Sequence, residues 1–194
     1  MSERKYRLTD ETITVFGHTL YRIQATENIP SRYVDEGELG GFIEKEANLS
    51  GNAWVFGNAW VSGNAEVSGN AEVFGNAEVS GNAEVSGNAR VFQKQHIFVA
   101  GPAGVESRLV TAAHTGTDEI FVRIGCWEGT LTTMMQAVAE RRDKHWGRHD
   151  EATQERWQAE YQAIRDMIAI RAESWKPEKE DKGEANDSDD NDRA

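Results

Sequence analysis

The sequence has one cysteine and three prolines in 194 residues, and no apolar run long enough to span a bilayer. The single thiol, Cys126, rules out an intrachain disulfide, so the fold has no covalent staple. No charged and then apolar leader opens the chain, and the expectation is a soluble cytoplasmic protein without membrane contact. Basic residues are also scarce. Against 33 Asp plus Glu stand 21 Lys plus Arg, a formal net charge of -12, which excludes a general affinity for phosphate backbones and predicts no direct nucleic-acid binding. The histidines His18, His96, His114, His145 and His149 are scattered without metal-ligand spacing. No phosphate-cradling loop, dinucleotide fingerprint, His-Glu metal helix or Ser-His-Asp grouping is present, so no catalytic residue, metal or cofactor is assigned.

What the chain has in quantity is one phrase. SGNAWVFGNAWVSGNAEVSGNAEVFGNAEVSGNAEVSGNARVF, residues 50–92, repeats A-x-V-x-G-N. Its alanines are Ala47, Ala53, Ala59, Ala65, Ala71, Ala77, Ala83 and Ala89, each followed two residues later by Val, or by Leu49 in the first of the eight units. Six residues are too few for a helix pair, and Gly-Asn in every unit is costly inside a helix. Alternation in A-x-V-x makes a short strand with Ala and Val on one side, and Gly-Asn supplies a corner.

After Val the repeat carries Ser50, Ser62, Ser68, Ser80 and Ser86, but Phe at 56, 74 and 92, each 18 residues apart. Three hexads therefore make one coil, and Phe56, Phe74 and Phe92 stack about 4.7–4.9 Å apart on one face. Trp54 belongs to the same face, with Glu72 and Arg90 above it in order. This aromatic ladder is the candidate binding surface, covered either by the chain's own flanking segments or by another subunit. Glu66 and Glu84 stack on the third face as like charges in register, while Glu72 and Glu78 point outward on the other two. Together they form a candidate acidic face, whose simpler role is to keep an exposed sheet soluble.

The A-x-V-x-G-N unit, with Val55 followed by Ala59 and Val61 by Ala65, resembles the hexapeptide-repeat family. That resemblance implies a left-handed parallel β-helix of triangular section. Acyltransferases of this family use a histidine near the coil, and here the nearest is His96, just beyond it. The wider layout, with KYRLTDETITV, GELGGFIE, the repeats and GCWEGTL in that order, resembles hexapeptide-repeat proteins of bacteriophages and prophages. It implies a bacterial host cytosol.

The flanks complete the expected architecture. Residues 1–46 read as a β-rich cap, with a hairpin turning at Phe16-Gly17-His18 and Phe42 and Ile43 plugging the first repeat. Residues 47–94 are the repeat. Residues 95–175 read as an α+β domain: strands in QHIFVAGP, SRLVTAAHTG and DEIFVRIG, a helix capped by Thr130, and a second helix over about 152–172 bearing Trp157, Tyr161, Ile164 and Ile168. Residues 176–194 carry eight acids against four bases and no large apolar side chain, and read as a disordered acidic tail. The predicted fold class is thus mainly β, a left-handed parallel β-helix with a hairpin cap and a small α+β domain.

Cys126, in IGCWEGT between a strand and a helix start, reads first as a packed small residue and second as a reactive thiol with His114 or His145 as base. The functional expectation is a non-catalytic structural or binding protein of phage type, homo-oligomeric with a trimer favoured. The alternatives are an anti-defence inhibitor, binding a host protein through the acidic face or sequestering a small nucleotide, and a hexapeptide-type acyltransferase.

Overall fold

A computed structural model describes residues 4–175. The acidic tail expected over residues 176–194 lies outside these. In chain order the strands are β1 (Tyr6–Val15), β2 (His18–Ala25), β3 (Leu39–Ile43), β4 (Trp54–Val55), β5 (Trp60–Val61), β6 (Glu66–Val67), β7 (Glu72–Val73), β8 (Glu78–Val79), β9 (Glu84–Val85), β10 (Arg90–Val91), β11 (Ile97–Ala103), β12 (Arg108–His114), β13 (Ile120–Ile124) and β14 (Trp127–Thr130). Helices α1 (Leu131–Arg141) and α2 (Glu151–Glu173) follow, joined through a π-helical turn at Arg142–Trp146.

The predicted fold class does not hold. No single left-handed parallel β-helix accounts for the chain. The strands divide among four small sheets, some parallel and some antiparallel, and helical segments take ~28% of the described residues. The reason lies in strand length. Seven of the eight hexads contribute a strand of only two residues, because Gly-Asn interrupts pairing at every corner, and the first makes only the isolated bridge of Leu49 with Val67. The longer strand β3 takes β5 and β8 into the N-terminal sheet, and the remaining repeat strands pair only with one another. In the largest sheet, of order β1-β2-β3-β5-β8, antiparallel pairs run from β1 to β3 and parallel ones from β3 to β8.

Within the repeat, strands 18 residues apart pair in parallel. Trp54 meets Glu72, Glu72 meets Arg90, Trp60 meets Glu78, and Glu66 meets Glu84. The main chain makes the same step: the Trp54 amide donates to Ala71 O at 3.1 Å and the Phe56 amide to Val73 O at 2.7 Å. The alanines and valines of the hexads from Ala53 onward lie in one common core with Leu49, with Val55, Val61, Val73, Val79, Val85 and Val91 fully buried, whereas Ala47 of the first hexad is exposed. Asn48 serves the end of this array. It is fully buried, its side-chain amide donates to Ala65 O at 2.8 Å and Gly63 O at 3.2 Å, and its side-chain oxygen accepts from the Lys45 amide. Those carbonyls would otherwise end the ladder without partners.

At the N-terminal side, the β1–β2 hairpin turns through Phe16 and Gly17, both with positive φ, at 49° and 85°. Two left-handed residues match the twist of a two-residue hairpin loop. Phe42 does extend the array: it pairs with Trp60, and with Leu20 the two form a small core of their own.

At the other side, β11-β12-β13-β14 form an antiparallel sheet, and Ala113 and Phe121 from it enter the repeat's core. Its other face packs on α1 and α2 through Met134, Val138, Tyr161, Ile164 and Ile168. Thr130 caps α1 and Asp150 caps α2, the latter accepting from the Thr153 amide at 2.9 Å. Among the described residues no helix is long and apolar enough to cross a membrane.

The corner glycines give a comparison that tests this packing. Gly69 and Gly81 have nearly equal φ, +65° and +68°, but a Cβ on Gly69 would meet Gly87 N at 3.1 Å while one on Gly81 would meet nothing within 4 Å. Gly81→Ala is expected to cost only the left-handed backbone penalty of about 1–2 kcal/mol. Gly69→Ala should cost clearly more, as read from urea midpoints of the two variants.

Candidate interaction surface

The three phenylalanines form one stack because their backbones are held one strand apart. Phe56 and Phe74 have ring centroids 4.6 Å apart at 5°, and Phe74 and Phe92 are 4.9 Å apart at 10°. Parallel, offset-stacked rings favour centroid separations of about 4.5–7 Å, so the strand spacing of the main-chain ladder places the three rings within a favourable stacking distance. Phe56 and Phe74 are half-buried, and Phe92 is 36% exposed. Arg90 runs alongside, its guanidinium 5.2 Å from the Phe74 centroid and 5.4 Å from that of Phe92.

Trp54 does not share this surface. Its alternation parity points it away from the valines, yet it is fully buried, in one core with Ile29 and Val34. Those two residues flank the short 3-10 turn Pro30–Arg32, and Arg32 from that turn closes the same region electrostatically. Arg32 Nη1 lies 2.9 Å from Glu72 Oε1, and Arg90 Nε lies 2.7 Å from Glu72 Oε2. Both carboxylate oxygens of Glu72 are thus used, and the residue is 8% exposed.

The acidic face dissolves in the same way. Glu66 and Glu84 do stand in register, but Arg123 Nε sits 2.5 Å from Glu84 Oε2 and its other arm binds Glu128 Oε1. Glu78 belongs to a different sheet, in register with Trp60, and is half-buried. The four carboxylates are therefore spread over three sheets, two of them ion-paired within the chain. Glu66 alone of the four is fully exposed.

Beyond Phe92 the stack ends in a cluster that sequence reading missed. His96 and His114 each present an edge to Phe92, at 6.2 Å and 6.1 Å, and lie 4.8 Å from one another. Trp175, just after α2, lies 6.2 Å and 6.4 Å from the two imidazoles. His96 is 8% exposed; burial first, and then the neighbouring His114, holds its pKa below the usual histidine value. Three separate segments meet here, so only the unusual proximity of His96 to the last hexad was available as a signal in the sequence.

Cys126 is exposed, contrary to its reading as a packed residue. It lies in the turn joining β13 to β14 after Gly125, whose φ is +58°. A whole strand separates it from α1, so no helix N-terminus faces the thiol. Its contact is Arg141, whose raised pKa owes most to a hydrogen bond with Glu106 and least to Cys126. His114 is turned instead toward His96 and Trp175, and His145 lies in the π-helical turn. Among the described residues, no group of three or more His, Cys, Asp or Glu could hold a metal ion.

No protein-family profile matches the chain, and no curated protein matches it in sequence.

The Glu72 site makes a sharp prediction. Replacing its charge leaves Arg32, whose side chain is 13% exposed, without a counterion. Glu72→Gln is expected to destabilise the protein by about 2–3 kcal/mol. In a double-mutant cycle with Arg32→Met, measured by urea unfolding, most of that loss should disappear.

Proposed function

We propose that the chain is a non-catalytic binding protein that assembles with further copies of itself, using the open rim of the phenylalanine stack as its contact surface. The observation that carries this reading is a choice of residue. At the position after Val, five of the eight hexads carry serine, and the three that carry phenylalanine are those that fall into one stack. Serine at that position is compatible with the same ladder, as Ser62 and Ser68 donate across to Val79 O and Val85 O just as Phe56 and Phe74 do to Val73 O and Val91 O. Pairing therefore does not require the aromatic rings, and their partly open rims offer rigid apolar area whose side-chain entropy is already spent. Arg90, held by Glu72, adds a fixed cationic edge to that rim.

A role as an acidic inhibitor draws less support, because Glu72 and Glu84 are engaged with arginines of the same chain.

The test is the mass in solution of the full chain, by light scattering at low and high salt. A 21.6 kDa chain assembling through apolar rims should give an oligomer, a trimer by preference, whose mass does not fall with salt. Phe74→Ser, which installs the residue common elsewhere in the repeat, should reduce it to the monomer with an unchanged circular dichroism spectrum. A wild-type monomer, or an oligomer unaffected by that substitution, removes the reading.

A further inference from the structure

The junction of Phe92, His96, His114 and Trp175 is chemically unlike the rest of the protein. Each imidazole uses Nδ1 as an acceptor: the Gly116 amide donates to His114 at 2.9 Å and the Phe92 amide donates to His96 at 3.4 Å. In both rings the proton therefore sits on Nε2 in the neutral form. A second proton would have to go on Nδ1, where it would face a backbone N–H in each case. At His114 the new N–H could turn only to Arg90 O, 3.3 Å away; at His96 no such carbonyl is in range among the described contacts.

The surroundings add to this opposition. The two rings are 4.8 Å apart, so a charge on one disfavours a charge on the other. From β10 the cluster faces the Arg90 guanidinium, already bound to Glu72. From α2 it faces the uncharged Trp175, with Glu173 exposed on the last turn; Lys94, Asp118 and Glu119 are exposed in the adjoining connections. Trp175 itself is 5% exposed, and its indole N–H meets no acceptor. Trp175 belongs to the helix–sheet core together with Ala172 and Ile168, and the two imidazoles form the remaining wall of its site, on the side of the phenylalanine stack.

We propose that His96 is the titrating member of a proton-operated latch: while it is neutral, it and His114 pack on Trp175 and hold the end of α2 against the last layer of the array, and in mild acid His96 releases it. The sign follows from linkage. His96 in the closed form has its pKa lowered from the ordinary 6.5, chiefly by burial, so the released form binds protons more tightly. Closure is fully stable above the ordinary value and weakens as pH falls below it toward the lowered one.

Hydrogen exchange on the full chain tests this, read on peptides covering residues 165–175 between about pH 7.5 and pH 5 after correction for intrinsic exchange rates. Protection of the last turn of α2 is expected to fall across that range, while the β4–β7 and β5–β8 ladders keep theirs. In His96→Asn/His114→Asn, whose amide oxygens stand where Nδ1 does and do not titrate, protection should be independent of pH. Unchanged protection in the wild type, or a transition that persists in the double variant, overturns the latch. If the double variant does not fold, imidazole nitrogen shifts in the wild type decide: titration of His96 away from the exchange transition overturns it, and coincidence supports it.

Discussion

Everything in this protein rests on one repeated step, the backbone hydrogen bond from a residue to the carbonyl 17 positions further along, as in Trp54 to Ala71 and Glu72 to Ala89. The step fixes neighbouring layers at strand spacing, so whatever stands in register must stack. That single constraint puts alanines and valines in a common core, brings the phenylalanine rings within stacking distance, and sets Glu72 directly beneath Arg90. Two-residue strands are weak individually. Their stability comes from the shared core and from the longer strands and helices joined to each side.

Arginine performs the joining. Arg32 reaches from the N-terminal connection to Glu72, and Arg123 reaches from the C-terminal sheet to Glu84, both across some forty positions of sequence, while Arg123 also binds Glu128 on the neighbouring strand of its own sheet. An acidic chain thereby uses its few cations where segments distant in sequence meet. Partly buried pairs of this kind specify which surfaces dock as much as they add stability. Ser86 Oγ and Thr111 Oγ1 complete the same seam, bonding Glu128 and the Glu84 amide.

Much of the local structure was legible. The hexad alternation identifies the inward residues, the 18-residue recurrence of Phe identifies the stack, the Thr130 cap places the first long helix and the spacing of Trp157, Tyr161, Ile164 and Ile168 places the second, since each is a short-range signal. The fold class was not legible, because a repeat motif says nothing about how its strands are shared with flanking ones: β5 and β8 lie in a sheet with the N-terminal hairpin. Trp54 shows the same limit. Its parity sets it opposite the valine of its own strand, but the cover from Ile29 and Val34 comes from a connection with no strand or helix pattern in the sequence. Trp127–Thr130 reads as a lead-in to a helix, since Glu and Gly lack strand preference, yet it pairs with β13 and moves Cys126 to a hairpin turn. The histidine cluster escaped notice because its members have nothing in common until the fold closes.

The phenylalanine stack and the two seams also act as a ruler. Each ladder advances by 18 residues, so gaining or losing one whole block of that length leaves every sheet, the aromatic column and both docking ends in their former angular relation. Gaining or losing a single hexad would instead rotate one end relative to the other by one sheet, carrying Arg123 away from Glu84 and breaking the column. Length variation in such a chain is therefore quantised: the array can grow in units of three hexads without any change to the parts that close it.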